Sequence, residues 1–198
     1  MTGFDHRWEA IHESRRWGQT PNEHLVRFIK RNRDKLGNDA LDVGCGAGAQ
    51  SFFLEDCGFQ VIGIDGSLSA ILDCNERRRP LMTFLCLDAC SLTMGDNLFD
   101  LVVDVCCLQH ILDPSHITAI NEINRVLKPG GSFFSVTAKW DHSTHIADTP
   151  MRMMRRNEID PLYKGCGFAT SSIDMSNFSD RNGAAWISHW IIQAKKVV

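Results

Sequence analysis

The stretch from Ala40 to Gln50, ALDVGCGAGAQ, decides the fold of this chain, because it joins a short apolar run to three alternating glycines. The apolar run predicts a β-strand, and the residues after Gly48 predict an α-helix. Glycines let a backbone adopt positive φ and approach a ligand closely, and the first turn of a helix presents free N–H groups. Gly44, Gly46 and Ala49 also satisfy the dinucleotide fingerprint formally. The loop alone therefore leaves a phosphate, a dinucleotide and other nucleoside ligands open.

Strand and helix patterns alternate on the C-terminal side of this loop. Ser67 is the expected N-cap of the second helix, and Asp113 can cap the third with Pro114 in its first turn. Such alternation predicts a doubly wound parallel sheet. Further strands are predicted at 60–65, 82–88, 99–107 and 132–140, and helices at 49–58, 67–78 and 113–128, the last stopped by the Pro-Gly-Gly at 129–131.

Two strand-like runs, 169–178 and 184–196, follow a short predicted helix at 157–168. The Asn182-Gly183 pair between them favours a hairpin, which would add an antiparallel strand to the sheet. In doubly wound sheets the ligand binds beyond the C-terminal ends of the strands. The functional residues are therefore expected at those ends.

Composition and charge are those of an ordinary soluble protein of one domain. The chain has 198 residues, 43% of them hydrophobic, and a formal net charge of −3, which does not favour nucleic acid as a partner. Its eight cysteines lack zinc-like spacing and predict reduced thiols. The first 19 residues lack a signal-peptide core, and no apolar stretch has the length of a membrane span. We therefore expect a cytoplasmic protein without a DNA or membrane partner.

Acidic residues stand at the ends of the predicted strands, where the ligand is expected. Asp65 ends the second strand and can accept hydrogen bonds from both ribose hydroxyls of a nucleoside. Asp42, on the strand that enters the loop, would repel a pyrophosphate and attract an ammonium or sulfonium group. Asp88 and the following backbone N–H can pair with an adenine edge. Asp104 and His110, after the fourth strand, are expected to face the reactive end of the ligand. Together they favour a cationic nucleoside over a dinucleotide.

These strand-end motifs, in this order, resemble those of the class I S-adenosylmethionine-dependent methyltransferases over roughly residues 38–139. The motifs are LDVGCGAG (41–48), VIGIDGS (61–67), LDA (87–89), FDLVVDVCCLQHI (99–111) and LKPGG (127–131). The resemblance implies a Rossmann-like α/β fold with a seven-stranded sheet of order 3-2-1-4-5-7-6, its last strand antiparallel and helices on both faces. It also implies S-adenosyl-L-methionine as cofactor and S-adenosyl-L-homocysteine as product.

The resemblance assigns cofactor contacts by motif position. The methionine part is expected at the loop residues Gly44, Cys45, Gly46 and Gly48, with its amine held by Asp42. Asp65 should bind the ribose. The adenine should contact Gly66, Ser67, Asp88 and Ala89, and the sulfonium side should contact Val105 and Leu108.

The resemblance further divides the domain into lead-in helices (1–37), a cofactor-binding core (38–139), and a lid, substrate segment and closing hairpin (140–198). The stretch RRWGQTPNEHLVRFI (15–29) resembles the lead-in helix of small bacterial members, where Trp17 would cover the cationic cofactor. Simple packing of Trp17 against the sheet is the alternative.

Methyl transfer to an oxygen or nitrogen of a small molecule, such as an anionic metabolite or a glycan precursor, is the function these residues predict. His110 is the candidate general base, with a purely structural histidine as the alternative. Arg152, Arg155 and Arg156 indicate an anionic acceptor or, alternatively, a solvated helix face. His142 and His145 could contribute to a metal site, but we expect no metal.

Two other functions remain open at the level of the sequence. One is a methyltransferase that acts on protein or RNA, and the other is a cofactor-binding subunit without activity. The fourth strand lacks the Asn-Pro-Pro-Tyr-type signature that the family uses on nucleic acid bases, which counts against DNA as the acceptor.

Overall fold

The structure, a computed structural model, describes residues 4–14, 19–140, 151–179 and 186–198. Trp17, His142, His145 and the Asn182-Gly183 pair lie outside these ranges, and the expectations placed on them are not addressed by the fold.

Seven strands form one sheet in the order β3-β2-β1-β4-β5-β7-β6, which confirms the predicted fold. The first five strands pair in parallel, and β7 pairs antiparallel with both β5 and β6. The strands are β1 (Asp39–Val43), β2 (Gln60–Asp65), β3 (Met82–Cys86), β4 (Phe99–Val105), β5 (Leu127–Ala138), β6 (Phe168–Ser179) and β7 (Trp186–Lys196).

Helices cover both faces of this sheet. Neighbouring residues of a strand point to opposite sides of the sheet, so their contacts show which helix lies on which face. On β5, Phe133 packs on Tyr163 with 5.8 Å between ring centroids, whereas Phe134 packs on Phe28 at 5.2 Å. Tyr163 belongs to the helix α6 (Arg156–Gly165) and Phe28 to the helix α2 (Glu23–Asn32), so these two helices lie on opposite faces of the sheet. The helices are α1 (Arg7–Ser14), α2 (Glu23–Asn32), α3 (Ala49–Asp56), α4 (Leu68–Glu76), α5 (Ser115–Val126) and α6 (Arg156–Gly165). None of the helices described is long and apolar enough to cross a membrane.

The predicted N-cap residue is confirmed for α4 and is wrong for α5. The Ser67 hydroxyl accepts a hydrogen bond from the Ala70 N–H at 3.2 Å, as an N-cap should. The Asp113 cap is wrong: Pro114 occupies the N-cap position of α5, and the Asp113 carboxylate accepts instead from Arg152 Nε at 3.0 Å.

The end of α5 also differs from the prediction. The helix stops at Val126, and residues 127–131 already belong to β5, so this strand begins five residues before the predicted Ser132. Leu127 is fully buried and pairs with Phe99 across a register shift in the sheet. This long-range pairing outweighs the local helical pattern.

Candidate functional site

The glycine loop between β1 and α3 has the backbone that its sequence predicts. Gly44, Gly46 and Gly48 have φ of 67°, 50° and 80°, which L side chains rarely adopt. A Cβ on Gly44 would lie 2.3 Å from the Cβ of Cys107, which follows β4. The loop is therefore in direct contact with the end of β4, and only glycine fits at position 44.

Asp65 connects this loop to the start of α4. Its Oδ2 accepts from the Gly46 N–H at 2.9 Å, and its Oδ1 accepts from the Ser67 N–H at 2.9 Å. The Cys45 N–H donates to the Ile64 carbonyl at 2.8 Å on the same side. Each carboxylate oxygen retains further acceptor capacity. Asp65, Gly46 and Ser67 are thus brought together as the motifs imply.

Asp42 lies beneath the loop, where it is only 1% exposed. Its Oδ2 accepts a 2.6 Å hydrogen bond from the hydroxyl of Ser51 in α3. Burial raises the pKa of Asp42 to about 7, and the Ser51 hydrogen bond opposes this rise only in part. The sequence analysis treated Asp42 as a permanent anion. With this raised pKa, its carboxyl instead gains or loses its proton near neutral pH.

Cysteine side chains pack under the same loop. The Cys74 thiol donates to the Gly46 carbonyl at 3.2 Å. Contact with Cys74 and burial raise the pKa of the Cys45 thiol well above its ordinary value, and burial does the same for Cys107. The thiols of Cys45 and Cys107 are therefore neutral packing groups.

Two of the four expected adenine residues line a small cavity at the ends of β2 and β3. Gly66 and Asp88 line it, together with Cys86 and Leu87, and its volume is about 160 Å³. Ala89 is buried in the core, and Ser67 is buried as the N-cap of α4. Of the expected adenine residues, Gly66 and Asp88 thus face this cavity.

The end of β4 is built around Asp104, which is fully buried. Its Oδ1 accepts from the N–H groups of Cys107 at 2.9 Å and Leu108 at 3.0 Å, and its Oδ2 accepts from the Ser135 hydroxyl at 2.6 Å. Burial raises the pKa of Asp104 to about 6. The expectation that Asp104 faces the ligand is wrong, because its carboxyl shapes the turn from below. The side chain of Leu108 is also buried, whereas Val105 is half-buried.

His110 ends this turn and is half-buried. Its ring lies edge-to-face with Trp8 of α1, with 4.7 Å between centroids, and its Nε2 is 3.2 Å from Gln109 Nε2. His110 is therefore in contact with the N-terminal helix α1. A larger cavity of about 300 Å³ between α1 and α4 contains none of the expected site residues in its lining.

Sequence reasoning missed the partners that complete these arrangements. No sequence pattern marks Ser51 as a site residue, because its contact with Asp42 depends on how α3 packs on β1. Cys107 was noted only as part of a motif, although it is the contact that requires glycine at position 44. Trp8 belongs to α1, which no motif marked, and Phe4 precedes that helix.

Comparisons with known proteins agree with this geometry. A family model described as a methyltransferase domain matches residues 41–135. The demethylmenaquinone methyltransferase of Renibacterium salmoninarum is 38% identical over 108 residues, which cover 54% of this chain and 44% of that protein. The ubiquinone biosynthesis O-methyltransferase of Coxiella burnetii is 31% identical over 115 residues, which cover 57% of this chain and 48% of that protein. The chain thus spans less than half the length of these curated relatives.

Among solved structures, a crystal structure of an S-adenosylmethionine-dependent methyltransferase from Methanosarcina mazei has a TM-score of 0.73 with this chain at 25% sequence identity. The match covers 86% of this chain and 97% of that one. The likeness therefore extends beyond the matched domain to most of the fold.

Replacing Gly44 by alanine tests the contact between the loop and β4. The added Cβ would meet Cys107 in a backbone region that disfavours side chains, so we expect a loss of on the order of 2–4 kcal/mol in the free energy of unfolding. Gly130→Ala is the matched control, because Gly130 has φ of 75° and open space around it, and it should lose about 1 kcal/mol. Equal losses in urea denaturation would contradict the contact.

The buried Asp42 predicts a pH dependence of stability. Its pKa is raised from 3.8 in the unfolded chain to about 7, so the folded state binds the proton more tightly. The resulting stabilisation is present at low pH and is lost as pH rises from about 4 to 7. Asp42→Asn should therefore become progressively more stable than the wild type across this range, by on the order of 1–4 kcal/mol above pH 7.

The measurement is urea denaturation of both proteins between pH 4 and 8. Glu76→Gln, an exposed replacement in α4, is the control and should show no pH-dependent difference. A constant difference between Asp42→Asn and the wild type across the range would refute the raised pKa.

Proposed function

We propose that this chain is a class I S-adenosylmethionine-dependent methyltransferase, which uses S-adenosylmethionine to transfer a methyl group to an oxygen or nitrogen of a small molecule. The observation that carries the proposal is the convergence of the glycine loop and Asp65 at the C-terminal ends of β1 and β2. The matched relatives are named for menaquinone and ubiquinone methylation, which supports a small-molecule acceptor.

The described residues fit an adenosyl sulfonium cofactor. The glycine loop leaves its backbone accessible where a Cβ would collide, and Asp65 retains acceptor capacity for ribose hydroxyls. The cavity beside Gly66 and Asp88 suits a purine base. Asp42, when ionised, would attract the cofactor's ammonium group, directly or through water. These roles, and those of Cys45, Ser67, Ala89, Val105 and Leu108, remain part of the proposal.

The cofactor supplies an electrophilic methyl group, so the protein has mainly to align the acceptor with that methyl and to exclude water. A general base is required only if the acceptor atom arrives protonated. We assign that role to His110, because it follows β4 at the edge of the sheet where the cofactor is expected. Its contact with Trp8 limits the orientations of the imidazole ring.

An anionic acceptor is favoured by one arginine of the three that the sequence singled out. Arg156 forms an exposed ion pair with Asp160 at 2.9 Å, and the guanidinium of Arg155 lies 4.2 Å from the centroid of Trp140. Arg152 differs, because its side chain is 19% exposed and its Nη1 is buried without a hydrogen-bond partner among the described residues.

The position of Arg152 places it beside the candidate base. Its backbone N–H donates to the Gln109 carbonyl at 2.7 Å, next to His110 in the chain. The Arg152 Nε already donates to Asp113, and a carboxylate, phenolate or phosphate of the acceptor would supply the acceptor atom that Nη1 lacks. We also retain, as parts of the proposal, the division at residues 1–37, 38–139 and 140–198 and a cytoplasmic location.

Isothermal calorimetry with S-adenosylmethionine, S-adenosylhomocysteine and NAD tests the cofactor assignment. We expect the first two to bind and NAD not to bind. Asp65→Ala should weaken both by tenfold or more, because it removes the ribose acceptor and the support of the loop. Glu76→Gln serves as the unaffected control. Binding of NAD in place of both adenosyl compounds would overturn the proposal.

Turnover assays with small phenolic acids and their neutral amides, using radiolabelled S-adenosylmethionine, test the acceptor side. Arg152→Gln should raise KM for acidic acceptors about tenfold or more at similar kcat, while the Arg156→Gln control leaves both unchanged. His110→Ala should lower kcat and spare S-adenosylhomocysteine binding. Unchanged turnover of His110→Ala would reject the base. Methylation of protein or RNA alone, or of nothing tested, would favour the alternatives named above.

A further inference from the structure

The cavity that contains Gly66 and Asp88 has an outer wall from a distant part of the chain. Phe4 and His6, which both precede α1, complete its lining. Its volume of about 160 Å³ is below the roughly 300–1,000 Å³ typical of whole small-molecule pockets. The cavity therefore suits one ring system rather than an entire cofactor.

Phe4 is held against the backbone at the end of β2. A Cβ on Gly66 would lie 2.1 Å from Phe4 Cδ2, so the ring occupies the space that a side chain at position 66 would need. Phe4 also packs edge-to-face on His6, with 5.3 Å between ring centroids. Glycine at position 66 thus permits an aromatic ring to cover the cavity.

The segment from Phe4 to Ser14 is attached at its own contact points rather than through the core. No residue of α1 is buried. Glu9 Oε1 accepts from the Ser69 N–H at 2.9 Å, in the first turn of α4, where a carboxylate is favourable. Trp8 contacts His110 at the other side. The segment therefore rests over the cofactor side and reaches the candidate base.

We propose that Phe4, with His6, forms the outer wall of the adenine subsite, so that the purine ring binds between these aromatic side chains and residues 86–88. This inference rests on the proposed function. Aromatic rings bind a purine through offset-stacked or edge-to-face contacts, and Phe4 has no polar atom that could serve another part of the cofactor. Phe4 is therefore a binding residue for the base alone.

Calorimetry of the full chain with S-adenosylhomocysteine and with adenosine tests the inference. Phe4→Ala should weaken both ligands by the same factor, about 3- to 10-fold, because the lost contact involves only the base. Phe4→Tyr should retain wild-type affinity. Ala10→Gln, an exposed change in α1 shortly after Phe4, is the control and should leave both affinities unchanged. Thermal unfolding of each variant checks that the fold is intact.

Three results would overturn the inference while wild-type binding is intact. These are unchanged affinities in Phe4→Ala, tighter binding because Phe4 obstructs the cavity, and weakening of S-adenosylhomocysteine without weakening of adenosine. A wild-type protein that binds neither ligand would instead refute the proposed function and this inference with it, so the two failures are distinguishable.

Discussion

Two backbone N–H groups from different parts of the chain converge on one carboxylate, that of Asp65 at the end of β2. One belongs to Gly46 in the glycine loop and the other to Ser67 at the start of α4. The glycines give the loop little side-chain packing of its own, so its shape depends on such long-range contacts. The Asp65 bonds, the Cys45 N–H bond to Ile64 and the contact between Gly44 and Cys107 together place the loop against β2 and β4.

The polar groups beneath this arrangement are buried, and burial sets their charge. Asp42 and Asp104 each accept a 2.6 Å hydrogen bond from a serine hydroxyl, yet burial still raises the pKa of both carboxyls. Asp104 has a structural task, since it accepts two N–H groups from the turn after β4. Asp42 instead contacts Ser51 of α3 through both the hydroxyl and the backbone N–H, and a cationic ligand nearby would favour its ionised form. The same low-dielectric surroundings keep the thiols of Cys45 and Cys107 neutral.

The cofactor side and the acceptor side rest on different kinds of structure. The loop, Asp65 and Asp88 stand at the ends of strands in a sheet that is covered on both faces. The acceptor side that we propose uses segments outside the sheet, namely α1 with Trp8 and the stretch around Arg152. Contacts between side chains position these segments, so they can differ between proteins that share the sheet. This contrast explains why the motifs point to the cofactor more directly than to the acceptor.

The sequence by itself determined the strand and helix order, the positive-φ glycine loop and the acids at the ends of β1, β2 and β3. These features depend on local periodicity and on residue types, which a single sequence contains. Only the tertiary structure decided that Asp104 faces the turn, that Asp42 is buried on Ser51, that β5 begins at Leu127 and that Phe4 covers Gly66. Those outcomes depend on burial and on contacts between residues far apart in the chain, because the dielectric surroundings and the partners of a side chain exist only after the chain has folded.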